Sequence, residues 1–531
     1  TMTPSGLKKG EDLALELGQA ARLLGVSLGE LRTLTTATGT VRDEAVLVAA
    51  ALPYERAMAL TIQLPTLPGF ELEVRPKRRY PFGETLLSLA HVLGYVGKIS
   101  PEEYQNRRDQ GYRRADEIGK IGVERIYEAD LRGTVGEEIS EVDAFGHRRA
   151  ALREVASVDG RELRLTLDSE LERSAEQALQ TQLKRAEATR GAIVALDPRD
   201  GSVLALVSWP GYDNNLFSGG VSSTLYRALV DAPDEPLFPR ALAGMYPSGS
   251  TVKIVISTAA LAEKIITSAS SVLSVGGIQV GPWFFPDWKA GGHGVTNVRK
   301  AIAWSVNTFF YYVGGGYESF VGLGSDRLVA WMRTFGLGEK TGIDLTSEAA
   351  GFVPSKVWKQ ATKGEAWFLG DTYNLSIGQG DLLVTPLQVA LYTAAIANGG
   401  TLLRPHVLES SADINGGGIS GPTFAPRATH LADPALLETV RLGMRDAVSY
   451  GSARALNGLA FEVAGKTGTA QWNVNKKTHA WFTGFAPLAT PEIVVAVLIE
   501  EGGEGSSFAV PAAKEVMRSW WQLRTERGGA F

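Results

Sequence analysis

The spacing of apolar and polar positions divides the chain into two stretches of different character. Residues 13–24 and 28–34 repeat apolar positions at helical intervals about Gly25-Val26-Ser27, which predicts a small helical pair packed on its own apolar face. Residues 138–142 and 147–155 read as strands around Ala144-Phe145-Gly146. Residues 1–160 show no catalytic constellation and read as a β-rich module that positions something else.

A boundary falls near Gly160 to Asp168, and beyond it the pattern has a longer range. Asp168 can cap a helix reaching about Ala188, with Leu171, Ala175, Leu179 and Leu183 on one face. Apolar strands at 192–196 and 203–207 flank the turn residues Asp197-Pro198-Arg199-Asp200-Gly201, and a second hairpin at 480–486 and 493–500 flanks residues 487–491. Helical spacing returns at Ala512, Val516, Trp520 and Leu523. This order predicts an α+β fold in which a central antiparallel sheet is packed with helices.

Composition narrows the function classes. A chain of 531 residues is too long for one compact core, and 44% hydrophobic with 21% charged residues marks it as globular. A net charge of -5 gives no reason to expect a nucleic-acid partner. The absence of cysteine excludes disulfides and thiolate metal sites. No run approaches the roughly 18 apolar residues of a membrane span.

The candidate chemistry is centred on Tyr246-Pro247-Ser248-Gly249-Ser250-Thr251-Val252-Lys253, which enters an apolar helical run. Ser250 then lies in the first helical turn, and Lys253, three residues on, shares its face with the amine in hydrogen-bond reach of the hydroxyl. Such a pair suits a nucleophile and its base. Ser-x-x-Lys also arises by chance, so the reading depends on its companions. Ser305-Val306-Asn307 offers a hydroxyl and an amide for proton relay. In Gly465-Lys466-Thr467-Gly468-Thr469-Ala470, small residues on a strand admit a substrate backbone, Lys466 supplies a cation for a carboxylate, and Thr467 and Thr469 supply hydroxyl donors. A nucleotide-binding P-loop is the rival reading of Gly465-Lys466-Thr467. Its first glycine would fall at Ala460, and the residues that follow read as a strand rather than a helix. Asp287 and His293 could be metal ligands, but six scattered histidines favour hydrogen-bonded structural roles.

In this order, Ser250-x-x-Lys253, Ser305-x-Asn307 and Lys466-Thr467-Gly468 resemble the three motifs of the penicillin-recognising serine transferases and hydrolases. Gly378-Gln379-Gly380, Thr385-Pro386-Leu387-Gln388 and the flanks of the first and third motifs resemble class B penicillin-binding proteins. Residues 118–136 look like the N-terminal pedestal of that family. Asp287-Trp288 with Gly292-His293-Gly294 looks like its elongation-type branch, the penicillin-binding protein 2 kind.

The resemblance covers the chain from about Leu67 onward. It implies a pedestal or dimerisation-type domain at 1–160 and a transpeptidase domain at 161–531. The expected activity is D,D-transpeptidation of peptidoglycan stem peptides through a serine acyl-enzyme, without metal or cofactor. The expected partners are those stems, β-lactam antibiotics and a SEDS-type glycan polymerase of the RodA kind. The family is anchored by a single N-terminal span with the catalytic domain outside the cytoplasmic membrane, in the periplasm. That anchor is absent from this sequence, which reads as the extracytoplasmic part of a longer chain.

Carried onto these residues, Ser250 attacks and Ser305 relays the proton. Asn307 holds the substrate amide, and the N–H groups of Ser250 and Thr469 form an oxyanion hole. Thr467 and Thr469, flanking Gly468, bind the terminal carboxylate beside Lys466. For Lys253 to act as base its pKa must fall from about 10.4 to about 7, a differential cost of roughly 4 to 5 kcal/mol. Burial and a neighbouring cation lower an amine in that way, and Lys466 is the candidate neighbour. A class A β-lactamase would need a further Glu for deacylation, and no Glu-x-x-Leu-Asn pattern is found. The alternative of another class is a penicillin-reactive scaffold that chiefly binds and activates a membrane glycan polymerase.

Overall fold

The computed structural model describes residues 1–36, 45–49, 52–73, 77–114, 116–142 and 148–529. They fall into two compact units. The first comprises Thr1–Pro81, Tyr95–Lys120 and Asn214–Tyr226; the second comprises Phe82–Gly94, Ile121–Asp213 and Arg227–Phe531.

In the first unit the expected helical pair is present as α1 (Glu11–Leu24) and α2 (Leu28–Thr36), followed by α3 (Tyr54–Gln63). Leu17, Ala20 and Leu24 of α1 fall on one face and meet Leu31 and Leu60 in a shared apolar cluster. Strand β1 (Val96–Lys98) pairs antiparallel with β2 (Glu117–Gly119), burying Ile118 near Ile99 and Tyr112. Of the strands expected within residues 1–160, this unit holds one short pair, and a longer pair at 137–155 belongs to the second unit. Helices build the main apolar cluster, because the leucines and alanines of α1 repeat at helical spacing.

The second unit contains the antiparallel pair β3 (Glu137–Val142) and β4 (Arg148–Val155); residues 143–147, where the Ala144-Phe145-Gly146 break was expected, lie outside the described residues. Helix α4 (Ser169–Ala186) starts as the capping pattern predicts, with the Asp168 carboxylate accepting from the N–H groups of Glu170 and Leu171 at 2.9 and 3.0 Å. Then follow β5 (Gly191–Leu196), β6 (Val203–Trp209), α5 (Lys253–Ala262), β7 (Ser271–Ser274) and β8 (Gly294–Asn297). Next come α6 (Val298–Trp304), α7 (Asn307–Gly315), α8 (Pro386–Ala397), β9 (Ala464–Ala470), β10 (His479–Ala486), β11 (Ile493–Ile499) and α9 (Ala509–Glu526).

Five of these strands form one sheet in the order β9, β10, β11, β5, β6, each neighbouring pair antiparallel. Alternate residues divide between its faces. Ile193, Val495 and Val497 join Leu171 and Leu179 of α4 and Val516 and Trp520 of α9. Val194, Val494 and Leu498 join Ile254 and Val255 of α5 and Val389 of α8. With helices on both faces, β5, β6 and β11 read as nearly continuous apolar runs, and each large aliphatic side chain buried there contributes about 1.5–3 kcal/mol. Strand β9 lies at one edge, with its outer side unpaired to any other strand of the sheet.

Candidate active site

Ser250 is carried by a tight turn rather than by the helix proper. Gly249–Val252 form a 3-10 turn, and α5 begins at Lys253. The cause is close packing: Gly249 has φ 51°, and a Cβ there would stand 2.7 Å from the Thr469 carbonyl oxygen. On its other side the Gly249 N–H donates to Gly378 O at 2.9 Å, and a Cβ on Gly378 would stand 2.0 Å from Gly249 O. Only glycine fits at both positions, so the half-buried Ser250 is held between β9 and the Gly378-Gln379-Gly380 loop.

The Lys253 side chain is fully buried. Its Nζ donates to Ser305 O at 2.9 Å, to Asn307 Oδ1 at 2.6 Å and to Ser305 Oγ at 3.3 Å, and lies 5.0 Å from the Phe310 ring centre. These acceptors converge because Ser305 adopts φ 56° at the end of α6, a left-handed conformation that stops one helix and lets α7 start two residues later. Among the described residues no hydrogen bond joins Lys253 to the Ser250 hydroxyl. The expected direct pairing is thus replaced by a cradle of three acceptors from the α6–α7 joint. Catalytic hydrogen bonds of this kind are often long without substrate and tighten when it binds.

Burial lowers the Lys253 pKa to about 7, against the opposing pull of the Asp287 carboxylate. Lys466, expected to be the neighbour responsible, is instead the partner that yields. It is fully buried, and burial, with repulsion from Lys253, holds its pKa well below the ordinary lysine range. Its Nζ donates to Thr467 O at 2.8 Å.

The third motif lies on β9, a strand as its sequence predicts, which removes the P-loop reading. Gly468 packs against the Ser250 turn, since a Cβ there would stand 3.0 Å from Thr251 Cγ2. The Thr467 and Ser452 hydroxyls are 2.7 Å apart. Thr469 Oγ1 donates to Glu504 at 2.9 Å, while Gln379 Nε2 donates to the Thr469 carbonyl at 3.2 Å. Neither Ser452 nor Glu504 has a spacing signal linking it to the motifs; Gln379 is signalled only by the glycines beside it. Beyond the end of β9 a cavity of about 590 Å³ opens among Tyr246, Trp358, Gly380, Gln471 and Trp472. Asp287 occupies a hydrogen-bonded position, accepting from the N–H groups of Trp288, Asn307 and Thr308.

Comparison with known proteins gives the family. Residues 191–518 match the penicillin binding protein transpeptidase domain, and residues 3–165 match the penicillin-binding protein dimerisation domain. The peptidoglycan D,D-transpeptidase MrdA of Haemophilus influenzae is 38% identical over 483 residues, spanning 84% of this chain and 70% of that protein. The penicillin-binding protein PBP2 solved in complex with MreC from Helicobacter pylori superposes with a TM-score of 0.82 at 31% identity, covering 98% of this chain and 93% of that one. A chain of a peptidoglycan synthase complex, solved for the coordination of polymerization and crosslinking, gives a TM-score of 0.72 at 32% identity over 97% of this chain and 86% of its own.

Fold and likeness together define a serine acyltransferase. The chain belongs to the penicillin-binding protein transpeptidase family, and its activity is that of a peptidoglycan D,D-transpeptidase.

Proposed function

We propose that Ser250 is the nucleophile and Lys253 its base in a transpeptidation that serves cell elongation. Ser250 Oγ gives its proton to Lys253 and bonds to the carbonyl carbon of the penultimate D-Ala of a donor stem. The bond from that carbon to the terminal D-Ala nitrogen breaks, and the D-Ala amine leaves with the proton, returned from Lys253 through Ser305. The amine of a second stem then attacks the ester. Its proton passes back to Ser250 Oγ as the acyl bond breaks, leaving the cross-link.

Asn307 holds the donor amide, and the N–H groups of Ser250 and Thr469 stabilise the oxyanion. Lys466, Thr467 and Thr469 take the terminal carboxylate, with Gly468 keeping the strand open to the substrate backbone. The donor stem continues along β9 to Gln471 and Trp472, where the cavity of about 590 Å³ gives it room. The observation that carries this reading is the convergence of Ser305 O and Asn307 Oδ1 on Lys253 Nζ, at 2.9 and 2.6 Å, behind the turn that bears Ser250.

In this reading residues 161–531 carry the chemistry and β-lactam antibiotics acylate Ser250 as substrate mimics. Residues 1–160 are the pedestal, or dimerisation-type, domain, and the partner is a SEDS-type glycan polymerase of the RodA kind. Support comes from relatives found with MreC and in a peptidoglycan synthase complex. Because stem peptides are cross-linked outside the cytoplasmic membrane, the catalytic domain works there, tethered by an N-terminal anchor. No helix among the described residues is long and apolar enough to cross a membrane.

One observation favours a second reading, in which the protein chiefly binds and activates the polymerase. Gln379 Nε2 donates to the Thr469 carbonyl at 3.2 Å and so occupies a group of β9 that a substrate backbone would pair with.

Intact-mass analysis after incubation with benzylpenicillin tests the nucleophile on which the catalytic reading depends. The parent is expected to gain one drug mass and Ser250→Ala none. An unmodified parent with intact drug would overturn the catalytic reading, and steady drug hydrolysis would indicate a β-lactamase.

A further inference from the structure

Helix α7 begins with Asn307, yet its N-cap, Val306, has no side chain able to accept a hydrogen bond. The first N–H groups of a helix need acceptors, and a buried start without them is costly. Here the acceptor comes from another part of the chain. Asp287, buried just after the strand Trp283–Pro286, accepts at Oδ1 from the N–H of Asn307 at 3.2 Å and of Trp288 at 2.9 Å. Its Oδ2 accepts from the Thr308 N–H at 3.1 Å, the Thr308 hydroxyl at 2.8 Å and the Ser274 hydroxyl at 3.3 Å. The Asp287 main chain is fixed in turn, its N–H donating to Gly276 O at 2.8 Å.

Five donors on one buried carboxylate form a strong, directional clamp, because hydrogen bonds to an ionised acceptor are about twice as strong as neutral ones. The clamp closes on the two residues that start α7. The first of these, Asn307, presents the oxygen that takes the shortest hydrogen bond of Lys253.

We propose that Asp287 is a positioning residue for acyl transfer: by holding the first two N–H groups of α7 it fixes Asn307 and, through Asn307, the orientation of the Lys253 amine. This rests on Lys253 being the base of the reaction. The carboxylate also acts at longer range, opposing the effect of burial on Lys253. The titratable groups that sense Asp287 are Lys253, His293 and Tyr311; the charged groups facing Lys253 are Asp287 and Lys466.

A residue that only stabilised the fold would change the amount of active protein. One that positions and charges the site changes the rate per folded molecule and its pH dependence. The test is the second-order rate of acylation by a fluorescent penicillin, measured from pH 5.5 to 9 on the full chain, with folded protein quantified by circular dichroism. Asp287→Asn keeps the shape, removes the charge and puts an amide against the donors. Its plateau rate is expected to fall at least tenfold per folded molecule, with the midpoint of the rising limb moved to lower pH. Asp287→Glu, which keeps the charge on a longer arm, should restore the midpoint but not the plateau.

If Asp287→Asn fails to fold, Thr308→Val decides. Loss of one donor to the clamp should slow acylation two- to fivefold with the midpoint unchanged, and a parent-like rate overturns the inference. A folded Asp287→Asn with the parent's rate and midpoint overturns it as well. A parent that is not acylated, or a Ser250→Ala variant that is, would instead overturn the functional reading on which it rests.

Discussion

Lys253 and Lys466 are both fully buried in the same unit, but the oxygens around them differ. Lys253 donates to two side chains and a carbonyl assembled from the joint between two helices. Lys466 reaches the carbonyl of the residue beside it on β9. Burial depresses both amines, and the repulsion between them bears on Lys466. The difference separates two tasks. Burial favours the neutral amine that a base near pH 7 requires, over the opposing Asp287 carboxylate, while the cradle orients it. In the proposed reading, an amine with one local acceptor on an edge strand is completed by the substrate carboxylate, whose charge would raise its proton affinity again.

The largest effect expected from this contrast follows removal of the anion partner. Lys466→Ala should reduce acylation by a carboxylate-bearing penicillin about 100-fold, in line with the loss of a charge-assisted hydrogen bond. Proton uptake on ligand binding, read from the buffer dependence of the calorimetric enthalpy in Ser250→Ala, should vanish in the double variant. An unchanged rate or unchanged proton uptake would break the contrast.

A separate effect, on stability rather than rate, is expected at Glu172, a fully buried acid outside the site. It accepts from the Ser88 hydroxyl at 2.7 Å and from the Leu206 N–H at 2.6 Å. Burial, reinforced by the neighbouring Glu176, raises its pKa to about 7, with these hydrogen bonds opposing. Between the ordinary carboxyl range and pH 7 the folded chain therefore holds a proton that the unfolded chain has lost. Its contribution to stability is complete at low pH and declines as pH rises through that window, by up to about 3 kcal/mol. Glu172→Gln should flatten the dependence of Tm on pH between 5 and 8. Persistence of the parent's slope would show that the slope arises elsewhere.

The parts of the site legible in the sequence were those with local spacing. Ser250, Lys253, Ser305, Asn307 and the residues of β9 each belong to a short motif, and the inner strands β5 and β11 announce themselves as apolar runs because helices cover both faces. Asp168 was readable as a cap because its partners, Glu170 and Leu171, are adjacent in sequence. The clamp on α7 was not. Asp287 is 20 residues from Asn307, and nothing in the spacing tells a helix-capping carboxylate from a metal ligand. The cradle of Lys253 was hidden for a similar reason: it depends on the left-handed turn at Ser305, a conformation that glycine or asparagine would have signalled. In the N-terminal segment, helices α1 to α3 carry more of the core than the strand-like patterns suggested.

The central claim, that Lys253 is a base held neutral by burial, is tested most directly by the pH dependence of the acylation rate of the parent chain. With the Lys253 pKa lowered to about 7, the rate should rise about tenfold from pH 6 to pH 8 and level off above. A rate flat across that range, or one still climbing through pH 10 as an ordinary lysine would dictate, would contradict the account.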